Sequence, residues 1–298
     1  MMHLFNHRGK VLNFPALPRL VILFFCCLSL PPSLAAKPEV IHLGILSIAP
    51  PARLYAKWQP FADYMQKQLG RPVELVVPHG FSKMKQAILQ GKVDFFYINS
   101  YVFYRLLQTH QALAVAQIRN IAGNTTSHSE IFVRKNSHIQ SIGDLNGKSI
   151  AFVSPLGAGG YMAPRAYLYA AGLKSDRDFK PEFTRNLTNS IHGVLLGDYD
   201  AGTMCGVNFK LMSQKIKTGD LKIIGDSPEY PESLIAARLN LPPQQIKQFR
   251  HQLLIMEKNP AGRQVLANMH SMKIQSFVRY DSKKMNSIIK KLIATGQL

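Results

Sequence analysis

Residues 149–172 constrain this fold more tightly than any other stretch. Ser149-Ile-Ala-Phe-Val153 is a short apolar run with the length of a buried strand. Ser154-Pro-Leu-Gly-Ala-Gly-Gly-Tyr-Met-Ala-Pro164 follows, and Arg165-Ala-Tyr-Leu-Tyr-Ala-Ala171 reads as a helix stopped by Gly172. A strand that turns through glycines into a helix start leaves backbone N–H groups unpaired at the positive end of the helix dipole. Such a spot suits an anion. The same glycines also suit a plain tight connection, so the remainder of the chain has to choose between the two readings.

Strands alternate with helices on both sides of that stretch. Val40–Leu46 is a strand, with a loop at Ser47–Pro51 beyond its end. Leu54, Trp58, Phe61, Met65 and Leu69 recur at three- and four-residue steps on one helix face, and Gly70 ends that helix. Val73–Val77 is a strand, Phe81–Gln90 a helix, and Gly91–Ile98 turns into a third strand. This alternation predicts a parallel, doubly wound α/β sheet. Ligands in such sheets sit beyond the carboxyl ends of the strands. Tyr97, Asn99, Ser100 and Tyr101 lie at such an end and are candidate ligand contacts; a polar cap with aromatic packing is the other reading.

Further along, Ala114–Ile118 is a strand, Asn120–Ser127 a polar loop, and Ser129–Arg134 a long strand. Phe179–Phe183 reads as a strand, and Asn186 or Thr188 caps a helix through Ile191, Val194 and Leu195. Gly197-Asp-Tyr-Asp-Ala-Gly-Thr203 repeats the form of Gly91-Lys-Val-Asp-Phe-Phe-Tyr97, which points to two units on one plan. Leu221–Gly225 and Ser227–Pro231 lead away from the second unit. An amphipathic helix after Leu241-Pro-Pro243 and a last helix carrying Met285, Ile288, Ile289, Leu292 and Ile293 are expected to pack back on the first unit.

The chain has 298 residues, enough for two domains, and 46% hydrophobic residues, enough for a core. Lys and Arg outnumber acids 36 to 17, a net charge of +19. The positive charges are scattered, with no dense basic run and no nucleic-acid module, so a small anion or the membrane surface is expected as partner rather than nucleic acid. His7, Arg8, Lys10 and Arg19 precede the apolar run Leu20–Leu30, which is too short to span a bilayer comfortably. Pro31-Pro-Ser-Leu-Ala-Ala36 then supplies small residues for cleavage near Ala35/Ala36. Residues 1–36 are therefore read as a signal peptide for export to the periplasm. Cys26 and Cys27 fall inside it, which leaves Cys205 as the one thiol beyond residue 36 and excludes an intramolecular disulfide there. Cys205 reads as a small buried core residue. No His/Cys/Asp/Glu cluster has metal-ligand spacing, and no cofactor motif is present.

Residues 37–298 resemble the PhnD-like substrate-binding proteins of phosphate/phosphite/phosphonate ABC transporters. The resemblance is carried by Trp58–Tyr64 with Leu69–Val73, Ala87–Asp94 with Tyr101, and Ser129 through Ser137. It continues in Ile142–Lys148, Ala151–Pro155, Gly160–Pro164, Gly197–Gly202 and Leu241–Pro243. It implies a type II periplasmic-binding-protein fold, a Venus-flytrap of two doubly wound α/β lobes joined by two crossing strands. Residues 37–128 plus 227–298 would form one lobe and residues 129–226 the other, with Ser129–Arg134 and Leu221–Asp226 as the crossings. It further implies a small oxyanion, phosphonate- or phosphate-like, held in the interlobe cleft of a monomer that docks on an inner-membrane ABC permease. No catalytic residue, metal or cofactor is implied.

This sequence departs from that family at its glycine turn. Phosphonate binders typically carry Ser-Thr-Ser-Gly where this chain has Gly157-Ala-Gly-Gly160. Three hydroxyl donors are lost, each worth about 1–3 kcal/mol when charge-assisted. The expected ligand contacts are accordingly Ser154 and the backbone of Gly157, Ala158, Gly159, Gly160 and Tyr161. Tyr97, Asn99, Ser100 and Tyr101 face them, with Ser129 and His128 at the hinge side. A related branch of the superfamily feeds sensor proteins, including sulfur-oxyanion sensors, and some of these share a Gly-Gly-aromatic turn and a cysteine near Cys205. The alternative role is thus a ligand-sensing partner of a sensor kinase or cyclase. An enzyme using Cys205 with His128 or His192 is the least favoured reading.

Overall fold

A computed structural model describes residues 39–46 and 51–296. The export segment expected at 1–36 and residues 47–50 of the expected loop lie outside the described residues. No described helix is long and apolar enough to cross a membrane.

Two mixed sheets form the frame. Strands β1 (Ile41–Ile45), β2 (Val73–Val76), β3 (Phe95–Ile98), β4 (Ala112–Asn120), β12 (Leu234–Arg238) and β13 (Ile274–Val278) make a six-stranded sheet in the order β13-β4-β12-β3-β1-β2. Strands β6 (Ser129–Arg134), β7 (Lys148–Phe152), β8 (Phe179–Phe183), β9 (Ala201–Cys205) and β10 (Leu221–Asp226) make a five-stranded sheet in the order β10-β6-β9-β7-β8. Parallel pairing joins β1 to β2 and β3, and β7 to β8 and β9, whereas β12, β13 and β6 pair antiparallel with their neighbours.

Helices cover both faces of each sheet, as the apolar spacing requires. Helix α1 (Pro51–Leu69) buries Leu54, Trp58, Phe61 and Met65, and Gly70 follows at φ 64°, a backbone shape that favours glycine. Helix α7 (Pro243–Ile255) buries Ile246, Phe249 and Leu253, and the Phe249 ring stacks on Phe95 at 3.9 Å between centroids. Helix α2 (Gly80–Leu89) covers the opposite face with Met84 and Ile88. Helix α3 (Ser100–Gln108) starts at Asn99, whose side chain accepts the Val102 N–H. Of the two caps considered for helix α5 (Leu187–Leu196), Asn186 is the one used, accepting the Asn189 N–H.

The recurrence Gly-x-x-Asp has a physical basis. Asp94 accepts the His42 N–H of β1 at 2.9 Å, and Asp200 accepts the Ser149 N–H of β7 at 2.9 Å. Each aspartate precedes a strand and ties it to the opening of the parallel neighbour. The two sheets therefore repeat one local device.

Four features differ from the sequence expectation. Strand β12 is an unforeseen central strand; Leu234-Ile-Ala-Ala is buried on both faces and so shows no alternation. The polar stretch 120–127 is not a simple loop. Asn120 is buried at the end of β4, its side chain accepting from Ala122 and Asn124 and donating to Thr126, and β5 (Thr126–Ser127) then pairs with β11 (Tyr230–Pro231). Strands β6 and β10, expected as the crossings, pair with each other inside the five-stranded sheet, and the chain passes between sheets at the short β5/β11 ladder. Finally, helix α9 (Ser282–Gly296), expected with the first unit, packs Ile289 and Leu292 against Met162 and Ala166 beside helix α4 (Ala163–Ala170).

Replacing Asp94 or Asp200 by alanine is expected to cost about 1–3 kcal/mol each, because each leaves a strand-opening N–H without its acceptor. Urea denaturation of the two single variants checks this. Asp94 is expected to cost more, since Arg238 Nε also donates to it at 3.0 Å.

Candidate functional site

The carboxyl ends of β1 and β3 face those of β7 and β9. Asn99, at the end of β3, caps α3 and also donates from Nδ2 to the Leu156 carbonyl at 3.0 Å. One residue of the first sheet thus holds the glycine turn of the second. Ser100 donates from its buried hydroxyl to the Pro231 carbonyl at 2.6 Å, which anchors α3 on the crossing ladder. Tyr101 is buried against Ala158 and Met162, with the Arg105 guanidinium 5.9 Å from its ring centroid. Tyr97 leans its ring on Trp58 at 4.7 Å.

The glycine turn is a single π-helical turn, Ala158–Met162, that runs into α4. Such turns concentrate at functional sites because they leave backbone groups outside the ordinary helical ladder. Gly157 donates its own N–H to the Ser154 carbonyl at 2.9 Å, and Ser154 Oγ accepts from Leu156 at 3.3 Å. Gly157 therefore closes the turn rather than offering a free donor. Among the described residues no acceptor takes the N–H groups of Ala158, Gly159, Gly160 or Tyr161. The carbonyls of the turn are engaged: Ser129 Oγ donates to Gly159 at 2.7 Å, and Thr203 Oγ1 to Gly160 at 3.2 Å. The turn is thus fixed through its acceptors and free at its donors. The Tyr161 ring packs edge-on against Phe152 and Phe183, and its hydroxyl accepts from Arg165.

Glycine at 159 answers a demand for space. A Cβ there would lie 2.0 Å from the Tyr230 hydroxyl and 3.1 Å from Cys205 Cβ. At Gly160 a Cβ would lie 3.0 Å from Val153 Cβ.

Behind the turn, the two sheets meet in a buried polar cluster that periodicity did not foresee. Lys273 Nζ donates to Glu232 Oε2 at 2.6 Å and reaches Cys205 Sγ at 3.6 Å. Asn120 Nδ2 donates to the other Glu232 oxygen at 3.0 Å, and Cys205 Sγ lies 3.2 Å from Ser127 Oγ. Glu232 is 1% exposed. Burial alone would lower the Lys273 pKa; Cys205, Glu232 and the nearby tyrosines outweigh it and hold the ammonium well above its ordinary range. Burial raises the phenols of Tyr97 and Tyr230, with the Cys205 charge adding to the effect at Tyr230. Cys205 is buried, as expected, but its neighbours are polar rather than an inert apolar core. The residues that sequence reasoning missed, Tyr230, Glu232 and Lys273, come from segments 25 to 68 positions after Cys205. The visible signals were a lone lysine in Met272-Lys-Ile274 and an acid beside the crossing at Tyr230-Pro-Glu232.

His128 does not join this group. Strand alternation sends its side chain to the face opposite Ser129. Its Nε2 lies 3.9 Å from Asp226 Oδ1, and one ligand-capable atom each of His128, Glu130 and Asp226 lies within 4.8 Å of the others. These three are the described residues best placed to hold a cation, although His128 and Asp226 are exposed and no ion is assigned. Glu130 and Asp226 are register partners across β6 and β10. Burial, then the Asp226 charge, push the Glu130 carboxyl up to about 7. Cavities of about 530 Å³ beside Arg134, His138 and Lys148, and about 140 Å³ beside His110 and Arg238, lie away from the glycine turn.

The two sheets, their topology and the facing strand ends are those of type II periplasmic binding proteins. A family model described as "ABC transporter, phosphonate, periplasmic substrate-binding protein" matches residues 43–284, and the chain belongs to that family. The tetrathionate sensor histidine kinase TtrS of Salmonella typhimurium is 32% identical over 148 residues, 48% of this chain and 25% of the kinase. The phosphate-import protein PhnD of Mycolicibacterium smegmatis is 28% identical over 229 residues, 72% of this chain and 70% of that protein. The solved binding component of an ABC phosphonate transporter from Pseudomonas aeruginosa superposes with a TM-score of 0.72 at 23% identity, covering 88% of this chain and 87% of that one.

Two outcomes are expected from these contacts. Glu232→Gln and Lys273→Met should each destabilise by about 3–5 kcal/mol, since each strands a buried partner, and the double variant should cost less than their sum. A double-mutant cycle in urea measures this. Glu130→Gln should flatten the pH dependence of stability. Between its ordinary 4.5 and about 7, the folded carboxyl stays neutral while the unfolded one ionises. The unfolded state is therefore favoured as pH rises, and stability present below pH 4.5 is lost by about pH 7. Unfolding curves of wild type and variant across that window give the comparison.

Proposed function

We propose that this chain is an exported solute-binding protein that closes on a small oxyanion and presents it to an ABC permease. The observation that carries the reading is the set of unclaimed N–H groups at Ala158–Tyr161, at the start of α4 and opposite Asn99 and Tyr101. Backbone donors at a helix start stabilise negative charge without a side-chain cation. The family membership, and relatives whose names speak of phosphate and phosphonates, support a tetrahedral oxyanion as the ligand class. We read residues 1–36 as the cleaved export signal and the mature protein as a monomer in the periplasm. Its lobes are residues 37–128 with 227–298, and residues 129–226, hinged near the β5/β11 ladder, with α9 crossing back to the second lobe.

Binding rather than catalysis is the role that fits the thiol. Among the described residues Cys205 meets Ser127, Lys273 and Tyr230, and the His128 imidazole points to the other face of its strand.

One observation favours a second reading, in which the closed protein is recognised by a sensor protein. The highest identity quoted above is to a tetrathionate sensor, over about half of this chain. Affinity purification with ligand would separate the two: recovery of a permease favours transport, recovery of a kinase favours sensing.

The ligand class is tested by thermal shift with phosphate, phosphite, methylphosphonate, thiosulfate and tetrathionate. At 100 times Kd a single-site ligand stabilises by about 2.7 kcal/mol, a rise of several degrees. At least one oxyanion is expected to give it, and a flat response to all five would reject the reading.

A further inference from the structure

Among the described residues, the Tyr230 hydroxyl is a buried polar group beside the glycine turn without a well-formed hydrogen bond. Tyr230 is 2% exposed, and among the described residues its oxygen makes no hydrogen bond of good geometry; the Cys205 thiol beside it is close enough to raise the phenol pKa but not aligned to satisfy it. A buried hydroxyl without a partner destabilises the fold, and phenylalanine would fill the same space without that cost. The hydroxyl lies against Gly159, inside the volume that a side chain at 159 would occupy. It stands beside the turn whose four N–H groups are also unclaimed. Among the described residues, three hydroxyls near the turn are spent: Ser100 on Pro231, Ser129 on Gly159, Thr203 on Gly160. The unspent donors therefore cluster, and they belong to two separate segments of chain.

We propose that Tyr230 is a ligand-contacting and specificity-determining residue, whose phenol replaces the side-chain hydroxyl absent at Gly159 and donates to an oxygen of the oxyanion held by the Ala158–Tyr161 N–H groups. This rests on the oxyanion reading of the cleft. Gly159 and Tyr230 are two halves of one exchange: the turn gives up a side chain so that a hydroxyl from the crossing segment can take its place. A phenol reaching in from the crossing is anchored on β11, which pairs with β5 at the hinge. Ligand contact at Tyr230 would therefore act where the chain passes between the sheets. A hydroxyl on the turn itself would move with one sheet alone.

The test compares the wild-type chain with Tyr230→Phe, and Tyr230→Ala with the double variant Gly159→Ser/Tyr230→Ala. Calorimetric titrations use inorganic phosphate, methylphosphonate and tetrathionate, and melting is followed without ligand. The expected result is a ligand-free melting temperature of Tyr230→Phe equal to or above wild type, with affinity for the bound probe weakened about tenfold or more. Gly159→Ser/Tyr230→Ala should bind more tightly than Tyr230→Ala alone, since the hydroxyl returns to the turn. Unchanged affinity in Tyr230→Phe overturns the assignment while leaving the oxyanion reading intact. A melting temperature of Tyr230→Phe several degrees below wild type also overturns it, because the hydroxyl would then have a structural partner. Wild-type chain that binds none of the three probes overturns the oxyanion reading, and the assignment with it.

Discussion

The Lys273–Glu232 ion pair is the contact on which both halves of the molecule depend. Two charges taken out of water are tolerable only when paired and hydrogen-bonded, and here each partner comes with further contacts. Glu232 follows the β11 crossing and receives Asn120 from the end of β4. Lys273, in a left-handed backbone shape at φ 59°, precedes β13 and reaches Cys205 at the end of β9. The pair therefore links the crossing, the adjacent strands β4 and β13 at one edge of the first sheet, and the tip of a strand in the second. Both charges flank strands of the first sheet, so the contact that spans the two sheets is Lys273 to Cys205.

Around that point the polar groups divide by whether they have partners. Ser100, Ser129, Thr203 and Asn99 each spend a hydrogen bond on a carbonyl of the other segment or of the glycine turn. Their role is to hold the turn in position. Among the described residues, the N–H groups of Ala158–Tyr161 do not spend theirs. Residues chosen from sequence for polarity alone fall into both groups, and only the account of partners separates scaffold from site.

Much of the fold was legible because its signals are local. The faces of α1, α7 and α9 follow from three- and four-residue apolar spacing, and the ends at Gly70 and Gly197 from glycine in the left-handed region. The Asp94 and Asp200 recurrence was visible as a pattern, and its cause, a carboxylate taking the opening N–H of a neighbouring strand, needed the sheet pairing. Strand β12 was not legible, since a strand buried on both faces has no period to read. The Tyr230–Glu232–Lys273 cluster was not legible for a different reason. Its members are brought together by topology, across segments that share no local pattern, and a single charged residue in an apolar stretch does not say which buried partner it meets. His128 shows the reverse error: adjacent in sequence to Ser129, it is sent to the opposite face by strand alternation.

The glycine turn carries the departure from its family, and the structure gives that departure a mechanical meaning. Hydroxyl side chains on a turn recognise an anion with one lobe alone. Bare backbone N–H groups are weaker individually and do not select among tetrahedral anions by themselves, since they present the same donors to each. Discrimination then has to come from whatever closes over them. In this protein the groups against that turn are Asn99 and Tyr101 from one sheet, and Tyr230 from the crossing with Cys205 beside it. Behind the turn a phenol, a thiol and a buried ammonium already lie together, the ammonium 3.6 Å from the sulfur.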